Sequence, residues 1–322
     1  MDYRVLGRTG VQVSRLCLGT MAFGSDADEA ESGRMFAAAL DLGINFLDTA
    51  DQYSGGRSEE ILGRLLAGKR DDLVVASKCF NPTGKDRNAQ GGSRRHIVRA
   101  AEASLRRLQT DRIDVFYLHK YDPLTPIEDS LRALEDLARA GKILHPGVSN
   151  YAAWQTQLAL GAQERAGWDR LQITQPMYNL VKRQAEAEIL PMALANGLSV
   201  TPYSPAGGGL LSGKYANKDS AAGRLVANKM YTNRYAEAWA HETAANFAAL
   251  AKEIDHHPMS VAVAWVAAHP AITAPIIGAR SLAQLQASFD SLKVPMTPEL
   301  RARISALSRT PPPATDRLEE AK

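Results

Sequence analysis

The segment from residue 43 to residue 53, GINFLDTADQY, sets a carboxylate and a phenol at the end of one apolar run. Residues 44–47 have the length and apolar character of a strand that is buried on both faces, and Asp48 stands where that strand should end. Tyr53 follows in a loop of small residues that continues to Gly56, before a helix that should begin near Ser58. These two groups can take part in proton transfer if other strands bring an amine and an imidazole to the same place.

Lys78 and His119 supply that amine and that imidazole, because each follows another strand-like apolar run. A phenol has an ordinary pKa of about 10 and is a weak acid near neutrality unless a neighbouring cation stabilises the phenolate. We therefore expect Lys78 to lower the pKa of Tyr53, with Asp48 keeping Lys78 charged. His119 is placed to hydrogen-bond a substrate oxygen. Such a site protonates a carbonyl oxygen as hydride reaches the carbon, and since side chains supply no hydride, a nicotinamide is needed.

The elements that must position these groups alternate between strand-like and helix-like segments along the whole chain. The predicted strands cover residues 16–18, 44–47, 73–77, 115–118, 143–148, 173–174, 198–201 and 273–277, and the predicted helices cover residues 30–42, 59–66, 94–108, 127–140, 152–165, 185–195 and 282–292. A long loop follows the seventh strand and covers residues 206–235. This alternation predicts an α/β fold, a (β/α)8 TIM barrel whose strand ends share one rim.

No stretch of the sequence is long enough to be a linker, so residues 1–322 are expected to form a single barrel domain. Residues 1–14 are interpreted as a β-hairpin before the barrel, and residues 309–322 as a mobile tail after Pro311 to Pro313. Extra helices are expected at residues 236–254, 260–269 and 298–307. A doubly wound dinucleotide-binding fold is the rival, but Ser212 stands where the third glycine after Gly207 and Gly209 is required.

Composition excludes several classes of function. Lys and Arg (38) barely exceed Asp and Glu (35), so no basic run indicates a nucleic-acid partner. Cys17 and Cys79 lie in apolar runs, which favours reduced thiols over a disulfide. The N-terminus lacks the pattern of a signal peptide and the longest apolar run, residues 261–268, is too short for a bilayer, so we expect a cytoplasmic protein without a membrane partner. No residues have metal-ligand spacing, and no metal is expected.

Five motifs in order resemble those of the aldo-keto reductase superfamily, and the resemblance covers nearly the whole chain. They are the DTADQY run at residues 48–53, the strand-end Lys78, the pair Leu118 and His119, GVSN at residues 147–150, and YSP at residues 203–205. The segment IIGARSLAQLQAS at residues 276–288 departs from the IPKS form of the mammalian aldose-reductase branch and is similar to bacterial and potassium-channel beta-subunit-like members. The resemblance implies that Tyr53 is the general acid/base of a tetrad with Asp48, Lys78 and His119.

The same resemblance implies NADP(H) as cofactor, with NAD(H) less favoured. The residues it assigns to cofactor binding are Gly19, Thr20 and Met21 after the first strand; Ser149, Asn150 and Gln175 at the carboxamide; Tyr203 on the nicotinamide ring; Ser204, Pro205, Ala206, Gly207, Leu210, Lys214 and Arg224 along the pyrophosphate; and Gly278, Arg280, Gln284 and Ser288 at the adenosine. The planar fork of Arg280 suits a 2′-phosphate, although Ala287 and Ser288 depart from the residues usual at the adenine. Simpler interpretations also exist, because Ser149 and Asn150 can cap the next helix and Arg280 can be a solvated arginine.

These features predict an NADPH-dependent reductase of aldehydes or ketones, reversible to alcohol oxidation. A cofactor-binding subunit that senses redox state with little turnover is the alternative, and a different barrel enzyme such as a phosphate-binding lyase is a third. Candidate apolar walls of the substrate pocket are Phe23, Phe80, Tyr121 and Tyr231. The substrate class is left open among keto sugars, small dicarbonyls, aromatic aldehydes and larger ketones such as mycotoxins. An oligomer is possible, but nothing in the sequence indicates one.

Overall fold

The structure is a computed structural model that describes residues 1–215, 225 and 228–315. Its first two strands, β1 (Tyr3–Val5) and β2 (Gln12–Ser14), pair antiparallel as a hairpin. The eight strands that follow are β3 (Cys17–Gly19), β4 (Phe46–Asp48), β5 (Val74–Cys79), β6 (Ile113–Leu118), β7 (Ile143–Ser149), β8 (Ile173–Gln175), β9 (Ser199–Val200) and β10 (Ile276–Ile277). All neighbours among these eight strands pair in parallel.

The parallel strands form one sheet in the order β10-β3-β4-β5-β6-β7-β8-β9. Two backbone hydrogen bonds join its ends, from Thr273 N–H to the Val200 carbonyl (2.9 Å) and from Ile276 N–H to the Pro202 carbonyl (2.9 Å). The sheet therefore closes on itself, and the predicted α/β TIM barrel is confirmed.

Helices surround this sheet. They are α1 (Glu29–Asp41), α2 (Arg57–Leu65), α3 (Arg94–Leu108), α4 (Ile127–Arg139), α5 (Ala153–Ala166), α6 (Ile189–Asn196), α7 (Lys229–Arg234), α8 (Ala238–Glu253), α9 (Pro258–Ala267), α10 (Leu282–Phe289) and α11 (Pro298–Ser305). Their apolar faces pack on the outward side chains of the strands to form a large continuous cluster. No helix within the described ranges is long and apolar enough to cross a bilayer.

The period of two along each strand decides which side chains fill the barrel interior. A smaller apolar cluster inside the barrel contains Phe46, Val74, Ala76, Val115 and Tyr117. Continuing each of these inward rows by two residues leads to Asp48, Lys78 and His119. The alternation that builds the core therefore also delivers these three polar side chains to one rim.

The hairpin seals the opposite end of the barrel. Leu6 and Val13 are fully buried and belong to the same interior cluster. Asn45, which lies just before β4, accepts a hydrogen bond from Ser14 N–H (2.8 Å) through its side chain and so fixes the hairpin to the barrel. The interior is thus a packed core with one open rim, at the carboxyl ends of the strands.

Two predicted elements are wrong. The helix expected at residues 185–195 begins only at Ile189, because Pro191 lacks an N–H and is tolerated only in the first turn of a helix. The stretch taken as a loop from residue 206 to residue 235 contains α7, which Asn228 caps by accepting a hydrogen bond from Met230 N–H (3.0 Å). The expected tail at residues 309–322 lies partly outside the described residues, since 316–322 are not among them.

Candidate active site

The side chains of Asp48, Tyr53 and Lys78 meet at the open rim, with the Lys78 ammonium at the centre. Its Nζ donates to Asp48 Oδ1 (2.5 Å) and to the Thr49 carbonyl (2.7 Å), and it lies 3.5 Å from the Tyr53 hydroxyl. The Lys78 side chain is completely buried and that of Asp48 is 4% exposed. The ammonium is therefore enclosed by Asp48, the Thr49 carbonyl and Tyr53.

Burial alone would favour neutral Lys78, but the charge and hydrogen bond of Asp48 outweigh it and raise the pKa of Lys78 above its ordinary value. Lysine is thus held as a cation. For Tyr53, burial is the stronger effect. Burial of its hydroxyl raises the pKa of Tyr53 more than the nearby charge of Lys78 lowers it. The expected effect of Lys78 is present, but the expected net lowering of the Tyr53 pKa is not found in this structure. Tyr53 is therefore neutral at physiological pH.

His119 faces Tyr53 across the rim, with the ring centres 6.2 Å apart and the rings nearly perpendicular. Burial, with the nearby charges of Lys78 and Lys120, lowers the pKa of His119 to about 3, so the imidazole is neutral. Its Nδ1 lies 3.2 Å from the side-chain amide nitrogen of Asn81. An amide that donates to Nδ1 leaves the proton on Nε2, which can then donate to a substrate oxygen. Sequence reasoning missed Asn81, although its place just after β5 was a usable signal.

Gln175 connects the rim of β8 to this cluster. Its side-chain amide donates to the second carboxylate oxygen of Asp48 (2.8 Å), so both oxygens of that buried carboxylate are satisfied. The Ser149 hydroxyl donates to the Gln175 carbonyl (2.9 Å), and Asn150 donates from its side chain to Ser149 Oγ (3.0 Å). Asn150 also accepts from the Tyr203 hydroxyl (2.7 Å). Four strand ends are therefore linked by one hydrogen-bond network.

Four residues of the rim loops adopt positive φ without being glycine. Ser54, Phe80, Asn150 and Ser204 have φ of 52°, 152°, 55° and 57°. Each such conformation costs about 1–3 kcal/mol and is retained where the surrounding structure imposes it. These four are among six described non-glycine residues with positive φ, so such conformations are concentrated in the rim loops, which makes these loops candidates for function.

A cleft of about 870 Å³ runs along this rim, and most sequence-predicted site residues line it. They are Gly19, Met21, Asp48, Tyr53, His119, Asn150, Gln175, Tyr203, Ser204, Pro205, Ala206, Lys214, Tyr231, Gly278, Arg280, Gln284 and Ser288. Five others are buried behind its wall, namely Thr20, Lys78, Ser149, Gly207 and Leu210. Arg224 lies outside the described residues.

Of the four candidate apolar walls, the described lining contains only Tyr231. Phe23 is 1% exposed and packs in the outer core instead. Phe80 is not among the lining residues, and its carbonyl accepts a hydrogen bond from Gly91 N–H (2.7 Å). Tyr121 packs edge-on against Tyr151 (5.4 Å between ring centres). Aromatic character alone therefore did not identify which loop side chains turn inward.

Several lining residues had no distinct signal in the sequence. They include Ala22, Gln52, Lys120, Gly208, Met230, Arg234, His257 and Met259. Met230, Tyr231 and Arg234 come from α7, where positions three and four residues apart share a face, so Arg234 lies on the same face as both others. Because α7 was taken as a loop, this wall of the cleft was not anticipated.

Another part of the cleft is lined by the start of α10 and by a glycine-rich turn. Gly208 and Gly209 have φ of 65° and 97°, and a Cβ on Gly209 would come 3.3 Å from the Lys214 ammonium. Arg280 lies 3.8 Å from Asp26, and Ser281 caps α10 by accepting from Gln284 N–H. Bare backbone and cationic side chains together suit a ligand with phosphate groups. Within the described ranges no group of three or more His, Cys, Asp and Glu is arranged to hold a metal ion.

Comparison with known proteins agrees with this geometry. The sequence profile of the Aldo/keto reductase family matches residues 15–309. The chain is 38% identical to the uncharacterized oxidoreductase YrpG of Bacillus subtilis (strain 168), over 93% of this chain and 94% of that protein. It is 35% identical to the Oryza sativa subsp. japonica protein named "Probable voltage-gated potassium channel subunit beta" (98% and 99%), and 33% identical to the versiconal hemiacetal acetate reductase of Aspergillus parasiticus (93% and 94%).

Proposed function

The chain belongs to the aldo/keto reductase family of oxidoreductases, and from that membership we propose that it reduces an aldehyde or ketone to an alcohol with NADPH, using Tyr53 as proton donor. The single observation that carries the proposal is the contact between the Lys78 ammonium and the Tyr53 hydroxyl at 3.5 Å, with Asp48 fixed behind it. A phenol beside an amine that is held as a cation can protonate an oxygen that becomes negative during the reaction.

The mechanism follows from the charges of these residues. When the carbonyl carbon accepts hydride, its oxygen becomes basic and takes the proton from Tyr53 Oη. The phenolate that remains is stabilised by the nearby Lys78 ammonium, which is buried and therefore little screened by water. Neutral His119 donates from Nε2 to the same oxygen and orients it. In the reverse direction the phenolate removes the proton of an alcohol.

A nicotinamide cofactor supplies the hydride when bound. We assign its redox end to the part of the cleft lined by Asn150, Gln175 and Tyr203, which offers two amides and a flat ring next to Tyr53. The glycine turn with Lys214 suits the pyrophosphate, and Arg280 suits a 2′-phosphate, which favours NADP(H) over NAD(H). The residues present therefore fit the group.

A second candidate function is a cofactor-binding subunit that responds to redox state with little turnover. The similarity to a protein named as a potassium channel subunit beta favours it. The two candidates differ in one respect, because a subunit of this kind needs the cofactor site but not a working proton donor.

Binding and turnover measured on the same preparation distinguish the two candidates. NADPH binding is followed by protein fluorescence, and turnover by loss of nicotinamide absorbance with a panel of aldehydes and ketones, against a control without carbonyl compound. We expect tight binding and carbonyl-dependent oxidation. Tight binding with no carbonyl-dependent rate across the panel would refute the reductase and leave the subunit.

A further inference from the structure

The cleft carries two cations that the proposed reaction does not use. Lys120 follows His119 on the rim and Arg234 ends α7, and both line the cleft. Lys78, in contrast, is paired with Asp48, and Arg280 is close to Asp26. Within residues 1–215, 225 and 228–315, no carboxylate lies at ion-pair distance from Lys120 or from Arg234.

Contacts with aromatic rings place Arg234 in the half of the cleft that contains Tyr53. Its guanidinium carbon lies 5.2 Å from the centre of the Tyr231 ring. Tyr231 also lines a side cavity of about 380 Å³, and Tyr53 lines that cavity too. Burial raises the pKa of Tyr203, and the charge of Arg234 partly offsets that rise, so the guanidinium is also close to Tyr203. Arg234 thus lies near the reacting groups.

The other groups in this half leave the two positive charges uncompensated. His119 is neutral, Tyr53 is neutral, and the charge of Lys78 is balanced by Asp48. Asp26 lines the side cavity, but its side chain is half-exposed and its partner is Arg280. A neutral substrate would gain nothing from desolvating a guanidinium here, whereas an anionic one would be attracted and held.

We propose that the substrate is a carbonyl compound that also bears a carboxylate, which Arg234 binds while Lys120 attracts it electrostatically. The inference rests on the proposed function. An arginine suits a carboxylate because its planar fork can donate two parallel hydrogen bonds. Met21, Met230 and Tyr231 line the wall between, so the part of the substrate that separates the carbonyl from the carboxylate is expected to be apolar.

Two aldehydes of nearly equal size test the proposal, 4-carboxybenzaldehyde and its neutral methyl ester, methyl 4-formylbenzoate. We expect the wild-type chain to prefer the acid. Arg234→Gln should lower kcat/KM for the acid about 10- to 100-fold, the range of hydrogen bonds to charged groups, through KM and with little change for the ester. Lys120→Gln should give a smaller loss that disappears at high salt, as expected for a solvent-exposed charge.

Equal losses for acid and ester in Arg234→Gln, or weaker NADPH binding in that variant, would overturn the proposal and make Arg234 a cofactor residue. Equal rates for the two aldehydes in the wild type would also overturn it. Calorimetric binding of the alcohol product, 4-(hydroxymethyl)benzoate, to the NADP⁺-loaded protein needs no turnover. Binding that Arg234→Gln abolishes supports the carboxylate site even if no aldehyde is reduced, whereas a rate for the ester with no binding of the product supports the reductase alone.

Discussion

Asp51 lies in the loop that joins Asp48 to Tyr53. Its carboxyl group is buried without a cation or a hydrogen-bond donor of its own among the described residues. It is 2% exposed, and neither of its carboxylate oxygens has a hydrogen-bond partner among the described residues. The N–H of Gln52 is close enough to favour the anion slightly but is not in hydrogen-bond geometry. Glu59 lies nearby, and Arg107, which could compensate, is bound to Glu59 (2.7 Å).

Burial first, and then the charge of Glu59, raise the pKa of Asp51 from 3.8 to about 7 in the folded chain. A carboxyl group whose pKa is raised by folding leaves stability intact below the unfolded pKa and reduces it progressively as pH rises from the unfolded pKa to the folded pKa. At 1.36 kcal/mol for each pKa unit, the cost is about 4 kcal/mol above the folded pKa. Less than half of this cost is present near pH 5, which lies closer to the unfolded than to the folded pKa.

Asparagine has the same shape as aspartate and cannot ionise, so Asp51→Asn removes this pH dependence. We expect the variant to gain about 3 kcal/mol over the wild type between about pH 5 and about pH 8. The assay is urea unfolding followed by tryptophan fluorescence at the two pH values. Asp41→Asn, at an exposed position of α1, is the control. Its change in the free energy of unfolding between the two pH values should equal that of the wild type. A variant whose stability relative to wild type is the same at both pH values would refute the reasoning.

Three further predictions concern the charge, packing and titration of named groups. Lys78→Met leaves the buried Asp48 carboxylate without its cationic partner, so we expect a loss of about 3–5 kcal/mol in urea unfolding, of which the double variant with Asp48→Asn should recover a large part. Gly63→Ala puts a Cβ 2.4 Å from the Arg107 carbonyl and should lower the free energy of unfolding by about 1–3 kcal/mol. Gly33→Ala is the control, because the nearest contact of its Cβ is at 3.7 Å, and it should stabilise α1 by about 0.5–1 kcal/mol. Melting temperatures that shift in the same direction for both variants would contradict this prediction. Since the pKa of His119 is lowered to about 3, kcat/KM should show no histidine step between about pH 5 and about pH 8, and a step that His119→Gln removes would show that the imidazole titrates there.

The sequence was sufficient for the barrel and for the groups at its rim because both follow from one periodicity. Strands and helices alternate along the chain, and inward positions recur every second residue within a strand. Asp48, Lys78 and His119 continue the inward rows that begin with Phe46, Val74 and Val115. Local pattern and three-dimensional position agree at these residues.

The pKa of Tyr53 and the walls of the cleft depend on packing between distant parts of the chain, which no local sequence pattern encodes. The net pKa of Tyr53 is set by how deeply its hydroxyl is enclosed, which outweighs the nearby charge of Lys78. The wall formed by α7 has six residues and one capping asparagine, Asn228, too little to show a helical period. Phe23 has the apolar side chain expected of a pocket wall, but it is buried in the outer core.

The central claim is that Tyr53 donates the proton, and Tyr53→Phe tests it most directly because the change removes one hydroxyl. Tyr3→Phe is the matched control, since its hydroxyl donates to the Gly43 carbonyl (2.9 Å) on the hairpin at the far end of the barrel. With a carbonyl compound that the wild type reduces, we expect Tyr53→Phe to lose about 10²- to 10⁴-fold in kcat with NADPH binding unchanged, and Tyr3→Phe to lose nothing. A Tyr53→Phe variant that keeps its kcat within a few-fold of the wild type would contradict the account.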